Sequence, residues 1–179
     1  MAPSLITKKK IAKSFKDLLK NDDFEKISVS MIMEYAKIRR QTFYEYFLDK
    51  YDLIEWIFLN ELKEQVTDNL TYISGYQLLH EITLFFSANR QFYRKLFLIV
   101  GQNDFSSYFN EYCKQIIEKI IREYRQQPFN NHKDHNFFVE YHSYALSNLI
   151  KNIILNEDQD MNIKIKQFIH LIQTSINHC

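Results

Sequence analysis

The residues best suited to a chemical role in this sequence are two adjacent arginines and a glutamine, Arg39, Arg40 and Gln41. They open the second of two short amphipathic segments, which a tight turn at Lys37 and Ile38 separates. Arginine and glutamine side chains can each make paired hydrogen bonds to base edges exposed in the DNA major groove. At the outer end of a short, rigid helix, these three side chains would be suited to reading a DNA sequence.

The two segments have the apolar pattern of a helix-turn-helix. The first is predicted to be a helix over residues 29–36, and the second opens at Arg39 and closes with Tyr44, Tyr46 and Phe47. Apolar side chains at this spacing would hold the two helices at a fixed angle and leave the polar groups outside. These apolar residues are Ile32, Ala36, Ile38, Phe43 and Phe47.

Flanking helices are predicted to complete an N-terminal unit. Thr7 is expected to cap a first helix, and Ser28 is expected to cap the helix that precedes the turn. A long fourth helix is expected to begin after Asp49 and to run to about Leu70. Lys50 then lies at its N-terminus, where backbone N–H groups and the helix dipole attract phosphate.

The composition predicts an all-α protein with an uneven charge. Only two glycines and two prolines occur in 179 residues, so glycine-rich phosphate loops and tight β-turns are disfavoured. Residues 1–50 contain eleven Lys or Arg and seven Asp or Glu, a net charge of +4. Residues 51–179 contain twelve and fifteen, a net charge of −3. This division suits a DNA-binding unit joined to a unit that does not bind DNA.

The second part of the chain predicts a helical body. Helices are expected near residues 76–88, 90–101, 104–126, 135–156 and 160–177, with breaks at Gly101 and Pro128. The last two are apolar over more than one stripe, and both ordinary core packing and a four-helix bundle between two copies fit this pattern. One stripe consists of Phe137, Phe138, Tyr141, Tyr144, Ala145, Leu149 and Ile153, and the other of Ile163, Ile165, Phe168, Ile169, Ile172 and Ile176.

Other classes of function have little support in the sequence. Cys113 and Cys179 lack the spacing of metal ligands, and no cysteine or carboxylate pair joins His132 and His135, which are expected in a polar loop, or His142. No catalytic motif is present, so neither an enzyme nor a cofactor is expected. The N-terminus lacks a signal peptide, and no apolar run approaches the ~18 residues of a membrane span, so a cytoplasmic location is predicted.

The run TFYEYFLDKYDL resembles the TetR family of bacterial transcriptional regulators, whose usual pattern is T-hydrophobic-Y-x-x-F-x-x-K-x-x-L. The match continues without a gap from about Lys8 to Leu53. Within the family, the sequence most resembles DhaS-type activators of dihydroxyacetone kinase operons, through FFSANRQFYRKLFLIVGQNDFSSYFNEY at residues 85–112. The resemblance implies about nine helices, with a DNA-binding domain at residues 1–50 and a regulatory and dimerisation domain at residues 51–179.

The resemblance also implies roles for single residues. Thr42 and Tyr44 fall where the family contacts phosphates from the recognition helix, and Lys50 falls on the phosphate contact of the fourth helix. Ser28 falls on a hydroxyl contact at the start of the second helix. The predicted DNA-binding residues are Ser28, Arg39, Arg40, Gln41, Thr42, Tyr44 and Lys50, with Arg39, Arg40 and Gln41 at the variable base-reading positions.

The sequence departs from the family pattern at two positions. Lys37 stands where the family usually has glycine in the turn, which predicts a strained backbone there. Gln41 stands where glycine or alanine is frequent, which predicts a distinct operator sequence.

Three functions stay open at this stage. The resemblance implies a homodimer that activates a dihydroxyacetone kinase operon on double-stranded DNA, with a coactivator protein related to the kinase's substrate-binding subunit. The common mechanism of the family is instead repression, in which a small ligand binds the repressor and releases it from DNA. The alternative of another class is a helical interaction protein without DNA binding. The aromatic residues of 85–112 and 137–144 would line an effector pocket or fill helix interfaces.

Overall fold

In the part of the chain that the structure describes, all regular secondary structure is helical. The structure, a computed structural model, describes residues 3–65, 73–99, 105–156 and 160–177. These ranges contain a 3-10 turn (Phe24–Lys26) and nine α-helices: α1 (Pro3–Asn21), α2 (Val29–Tyr35), α3 (Arg40–Phe43), α4 (Lys50–Gln65), α5 (Gly75–Ala88), α6 (Arg90–Phe97), α7 (Phe105–Tyr124), α8 (His132–Leu155) and α9 (Met161–Ser175). The predicted all-α class with about nine helices is confirmed.

The N-terminal unit is built on the buried faces of α1, α2 and α3. Phe15 of α1 is fully buried, and its ring meets that of Phe24 at a centroid distance of 6.3 Å. Ile27 is also fully buried, so the connection between α1 and α2 packs against the core as part of the unit. The predicted start of α1 at Thr7 is wrong, because the helix begins at Pro3. The fixed φ of proline and its missing N–H suit the first turn of a helix.

A cluster of aromatic rings connects α4 to the body. Phe58 of α4 is fully buried. Rings from α5, α6 and α7 surround it at centroid distances between 5.3 and 6.2 Å, namely those of Phe85, Phe86, Tyr93, Phe105, Tyr108, Phe109 and Tyr112. Edge-to-face ring contacts add to the free energy gained by burial. Of the two roles left open for the aromatic residues of 85–112, these seven rings fill a helix interface.

Two helices of the body have ends that differ from the prediction. α6 ends at Phe97 instead of near residue 101, and α8 begins at His132 instead of near residue 135. α8 starts earlier because the side chain of Asn131 accepts a hydrogen bond from the backbone N–H of Asp134 at 3.0 Å. Such a cap replaces a partner that the first turn of a helix lacks. His135 therefore lies in the first turn of α8 and not in a loop, and the same correction applies to His132.

Parts of two predictions fall outside the described residues. These are the break at Gly101 and the end of α4 near Leu70. Among the helices that are described, none has the length and apolar character needed to span a membrane. In the same ranges, His, Cys, Asp and Glu side chains form no group of three or more that could hold a metal ion.

Candidate DNA-binding interface

The first helix of the helix-turn-helix, α2, begins at a serine cap, as predicted. Ser28 has an extended backbone, and its hydroxyl oxygen accepts a hydrogen bond from Met31 N at 3.2 Å. This bond satisfies one of the N–H groups that have no partner within the first turn. Ser28 is exposed, and its hydroxyl proton can still be donated to a phosphate oxygen.

The turn after α2 is a Schellman motif. The Lys37 N–H bonds to the Glu34 carbonyl at 2.9 Å, and the Ile38 N–H bonds to the Met33 carbonyl at 3.0 Å. Lys37 has a φ of 54°, the left-handed conformation in which glycine is favoured because it has no Cβ. The strain predicted at Lys37 is confirmed. The motif sets the direction in which the chain enters α3.

The apolar contacts predicted to hold the two helices together are present. Of the five predicted residues, four are buried and one, Ile38, is half-buried; the buried ones are Ile32, Ala36, Phe43 and Phe47. The Phe43 and Phe47 rings lie 5.5 Å apart, and Phe47 also meets Trp56 of α4 at 5.8 Å. These contacts fix the orientation of α3 on α2 and α4.

The second helix of the motif, α3, is a single turn, Arg40–Phe43, that presents its first residues to solvent. Arg39 precedes it in an extended conformation, and Arg39, Arg40 and Gln41 are all exposed. Thr42 is half-buried, whereas Phe43 is fully buried. One face of this turn therefore packs inward, while the predicted base-reading side chains point away from the core.

Arg40 and Tyr44 contact each other one helical turn apart. Arg40 Nη2 donates a hydrogen bond to the Tyr44 hydroxyl at 3.4 Å, and the guanidinium carbon lies 5.9 Å from the ring centroid. The predicted end of this helix at Phe47 is wrong. After Phe43 the chain continues as turns, in which the N–H groups of Tyr46 and Phe47 both bond to the Phe43 carbonyl.

Lys50 at the start of α4 points its ammonium group toward the protein. Its Nζ donates hydrogen bonds to the carbonyls of Phe24 at 2.9 Å and Ile27 at 2.7 Å, and lies 4.1 Å from the Phe24 ring centroid. Burial lowers the pKa of Lys50 from its ordinary value. Lys50 therefore connects α4 to the segment that precedes Ser28.

Side-chain carboxylates accept hydrogen bonds from backbone N–H groups at the start of α4, so the prediction that these N–H groups hold a phosphate is wrong. Asp49 accepts hydrogen bonds from Tyr51 N at 2.8 Å and Asp52 N at 2.9 Å, and Asp52 accepts one from Leu48 N at 2.8 Å. The cap predicted at Asp49 is confirmed. Leu48 is 84% exposed in this loop. The sequence interpretation did not include Leu48 among the DNA-binding residues, and the structure places its exposed apolar side chain in the loop between α3 and α4.

The structure thus divides the seven predicted side chains into two groups. Five are exposed around α2 and α3, namely Ser28, Arg39, Arg40, Gln41 and Tyr44, and Thr42 is half-buried beside them. Lys50 is half-buried, with its ammonium group on backbone carbonyls. The side chains of Arg39, Arg40 and Gln41 are suited to hydrogen bonds with base edges. The hydroxyl groups of Ser28, Thr42 and Tyr44 are suited to hydrogen bonds with phosphates.

Comparison with known proteins identifies the family. Residues 74–178 match the family TetR_C_8, described as the transcriptional regulator C-terminal region. The chain is 34% identical over 157 residues to the HTH-type dhaKLM operon transcriptional activator DhaS of Lactococcus lactis subsp. lactis (strain IL1403), covering 87% of this chain and 83% of that protein.

The chain belongs to the TetR family of transcriptional regulators. Among solved structures, the dihydroxyacetone kinase operon activator DhaS matches with a TM-score of 0.75 and 31% identity, over 96% of this chain and 97% of that one. NalD, the secondary repressor of the MexAB-OprM multidrug efflux pump in Pseudomonas aeruginosa, matches with a TM-score of 0.57 over 94% of each chain. At 18% identity, NalD supports the fold alone.

This TetR-family regulator has an exposed aromatic face on α8. Phe137, Tyr141 and Tyr144 are 70%, 61% and 55% exposed, and the first two rings stack at a centroid distance of 6.2 Å. The sequence had placed them in one stripe with Phe138 and Ile153, and this is wrong. Phe138 and Ile153 are buried, because α8 packs on α5, α6, α7 and α9, whereas Phe137, Tyr141 and Tyr144 lie on its exposed side.

α9 of the regulator likewise has an inner and an outer apolar side. Ile165, Phe168 and Ile172 are buried, whereas Ile163 and Leu171 are largely exposed. An exposed apolar surface on neighbouring helices is typical of an interface with another protein. Each of the two helices thus has one apolar face in the core and further apolar side chains that this chain leaves exposed.

Proposed function

We propose that this regulator binds a near-palindromic operator as a homodimer and activates a dihydroxyacetone kinase operon. The observation that carries the proposal is the 34% identity over 157 residues with a protein named as the activator of the dhaKLM operon. A match of 157 residues within a chain of 179 necessarily includes the helix-turn-helix. The exposed Arg39, Arg40 and Gln41 are the side chains expected in such a regulator.

In this proposal α3 enters the major groove. Arg39, Arg40 and Gln41 contact base edges, and each good paired contact contributes ~1–3 kcal/mol of discrimination. Ser28, Thr42 and Tyr44 contact phosphates and set the register on the duplex. The contact between Arg40 and Tyr44 supports the assignment of Arg40 to a base edge, because it orients the guanidinium group in the DNA-free protein.

Lys50 is assigned a double role. Two of the three N–H donors of its ammonium group bind the carbonyls of Phe24 and Ile27. In the proposed complex the third donor would contact a phosphate oxygen. Lys50 would therefore contribute to DNA affinity both by this contact and by holding the segment that leads to Ser28.

The homodimer is proposed to form through α8 and α9. The exposed rings of Phe137, Tyr141 and Tyr144 would pack against the same helices of the partner, and Ile163 and Leu171 would extend the contact. Two-fold symmetry then places the two α3 helices about one DNA turn apart, ~34 Å or a multiple of it. The two half-sites of the operator would be inverted copies of one sequence.

We further propose that a coactivator protein related to the substrate-binding subunit of dihydroxyacetone kinase conveys the signal. Dihydroxyacetone is small and polar, so a protein that binds it tightly must offer several hydrogen-bonding groups in a pocket. The described interior around Phe58 is instead filled by seven aromatic rings. A calorimetric titration of the purified regulator with dihydroxyacetone alone should show no tight binding. Tight binding would favour a ligand-controlled regulator instead.

The experiment that tests DNA recognition begins with genomic fragments selected by the purified protein. We expect these fragments to contain an inverted repeat next to dihydroxyacetone kinase genes. In gel shifts, Arg40→Ala should lose ~1–3 kcal/mol of preference for the selected sequence over one with a base change in the contacted half-site. Lys50→Ala should weaken binding to all duplexes alike and reduce the salt dependence. Equal binding of the wild-type protein to selected and random duplexes would contradict the proposal.

A further inference from the structure

The turn between α2 and α3 contains a strained lysine. Within the described ranges, Lys37 is the one residue other than glycine with a positive φ, 54°. Glycine adopts this left-handed conformation without cost, whereas a residue with a Cβ is destabilised by it. Strained residues of this kind are concentrated at functional sites. A contribution of the Lys37 side chain to DNA binding would explain why a lysine stands here.

The ammonium group of Lys37 has no partner among the described residues. The side chain is exposed and makes no hydrogen bond or ion pair there, and the nearest carboxylate in sequence, that of Glu34, is exposed and does not pair with it. Four other lysines of the N-terminal unit are bound by carboxylates at N–O distances between 2.5 and 2.8 Å, namely Lys9 by Glu64, Lys16 by Glu61, Lys20 by Asp17 and Lys26 by Asp23. The charge of Lys37 is therefore available to a ligand outside the protein.

The turn places Lys37 beside Arg39. Both residues are exposed, whereas Ile38 between them is half-buried and packs against the core. The hydrogen bonds from Lys37 N to the Glu34 carbonyl and from Ile38 N to the Met33 carbonyl hold this arrangement. The side chains of Lys37 and Arg39 therefore both leave the core next to the first residues of α3.

Lys37 lies within reach of the edge of the groove that α3 would enter. Two residues of chain span at most ~7 Å between Cα atoms, which bounds the distance from Lys37 to Arg39. The major groove is ~12 Å wide, so the phosphates at its edge lie ~6 Å from its middle. With Arg39 at a base edge, the flexible four-carbon stem of Lys37 can bring its ammonium group to such a phosphate.

We propose that Lys37 contacts a phosphate at the edge of each operator half-site, and that the strained turn places its ammonium group there. The inference rests on the proposed binding of a homodimer to an operator. In the complex, the contact offsets a conformational cost that the free protein bears. Lys37 contributes to affinity and not to sequence preference, because phosphates are the same in every sequence.

The size of the effect follows from the release of counterions. Each neutralised phosphate adds about 0.9 to the slope with which the logarithm of the affinity falls against the logarithm of the salt concentration. A dimer has two copies of Lys37, so together they contribute about 1.8 to this slope. Between about 50 and 200 mM salt, a contribution of this size changes the affinity by about 12-fold.

The test measures gel shifts of the full-length protein on operator fragments that it selects, at several salt concentrations. Lys37→Gly and Lys37→Ala both remove the charge, and both should lower the slope by about 1.8. Lys37→Arg keeps a cation on a flexible stem and should retain the wild-type slope. All three variants should keep the wild-type preference for the selected operator over one with a base change in a half-site.

Two comparisons separate the contact from other effects. Lys37→Gly relieves the strain of the turn, so a loss of affinity in this variant does not come from a weakened fold. If Lys37→Ala does not fold, Lys37→Gly is sufficient for the test. Lys20→Ala removes the same charge from α1 of the same unit, where Asp17 binds the ammonium group at 2.6 Å. It should retain the wild-type slope.

Three results would overturn the inference. The first is a wild-type slope in Lys37→Gly. The second is an equal loss of slope in Lys20→Ala, which would show a general attraction between the charge of the unit and DNA. The third is a loss of sequence preference in Lys37→Gly, which would place Lys37 at a base edge. A wild-type protein that binds selected and random duplexes equally would instead overturn the proposed function on which the inference rests.

Discussion

At the scale of single residues, Lys37 shows where the helix-turn-helix stores strain. Its φ of 54° costs a residue with a Cβ ~1 kcal/mol or more, and glycine avoids that cost. We expect Lys37→Gly to raise the free energy of unfolding by ~0.5–1 kcal/mol, since part of the gain is offset by the entropy of glycine in the unfolded chain. Urea denaturation would measure it. Lys37→Ala removes the same charge without relieving the strain, so an equal gain there would contradict this explanation.

His142 makes the contact between α8 and α9 sensitive to pH. Its ring is buried 4.2 Å from the Phe138 ring centroid, its Nε2 lies 3.2 Å from Ser175 Oγ, and burial lowers its pKa from the ordinary value of 6.5. Above that value the ring is neutral in both folded and unfolded chains, and stability is unaffected. As the pH falls below 6.5, the unfolded chain binds a proton at this ring before the folded protein does. The free energy of unfolding therefore decreases until the pH reaches the lower pKa of the folded state.

The corresponding experiment compares urea denaturation at pH 7.5 and 5.5. His142→Gln should lose less stability than the wild-type protein between these two conditions, because it has no proton to take up at this site. His170→Gln, which changes an exposed histidine of α9, should behave as the wild-type protein does. A His142→Gln variant with the wild-type dependence on pH would show that other groups are responsible.

At the scale of secondary-structure elements, the start of α8 depends on one side chain. Asn131 accepts the Asp134 N–H, and α8 begins directly after it. We expect Asn131→Ala to lower the free energy of unfolding by ~1 kcal/mol, the usual contribution of such a cap. Asn130→Ala changes the exposed neighbour and should stay within ~0.5 kcal/mol of the wild type. Equal losses in urea denaturation would show that the cap has no special role.

The existence of the helices could be predicted from the sequence, whereas several of their ends could not. Apolar spacing reports which face of a helix is buried, and it correctly indicated α2, α4 and α7. The starts of α1 and α8 depend instead on local effects, the proline at Pro3 and the cap at Asn131. Periodicity contains no information about such ends.

The candidate site shows the same division between local and non-local information. The exposure of Arg39, Arg40 and Gln41 follows from the spacing of Phe43 and Ile38 beside them, so it could be predicted. The position of the Lys50 ammonium depends on two carbonyls that lie 23 and 26 residues earlier in the chain. A sequence pattern reports the presence of a cation but not which distant carbonyls will bind it.

At the scale of the whole molecule, the division of charge and the division of apolar surface support the same architecture. The first 50 residues have a net charge of +4 and the rest −3, so DNA attracts one end of the molecule and not the other. The exposed aromatic rings of α8 belong to residues 51–179, the part of the chain with the negative net charge. A dimer joined through α8 and α9 would present two basic units, each with its own exposed arginines.

The strongest prediction at this scale concerns the dimer. Tyr141→Glu would place a charge within the proposed interface, where it would be buried without a partner, at a cost of several kcal/mol. We expect this variant to be a folded monomer in analytical ultracentrifugation, because Tyr141 is 61% exposed within one chain and contributes little to its core. Its affinity for a palindromic operator should fall to about that for a half-site, because avidity from the second unit is lost. Leu84→Glu changes an exposed apolar residue of α5 and should leave the dimer intact. A Tyr141→Glu variant that remains dimeric, or a wild-type protein that is monomeric at the concentrations that bind DNA, would place the two-fold interface elsewhere than on α8 and α9.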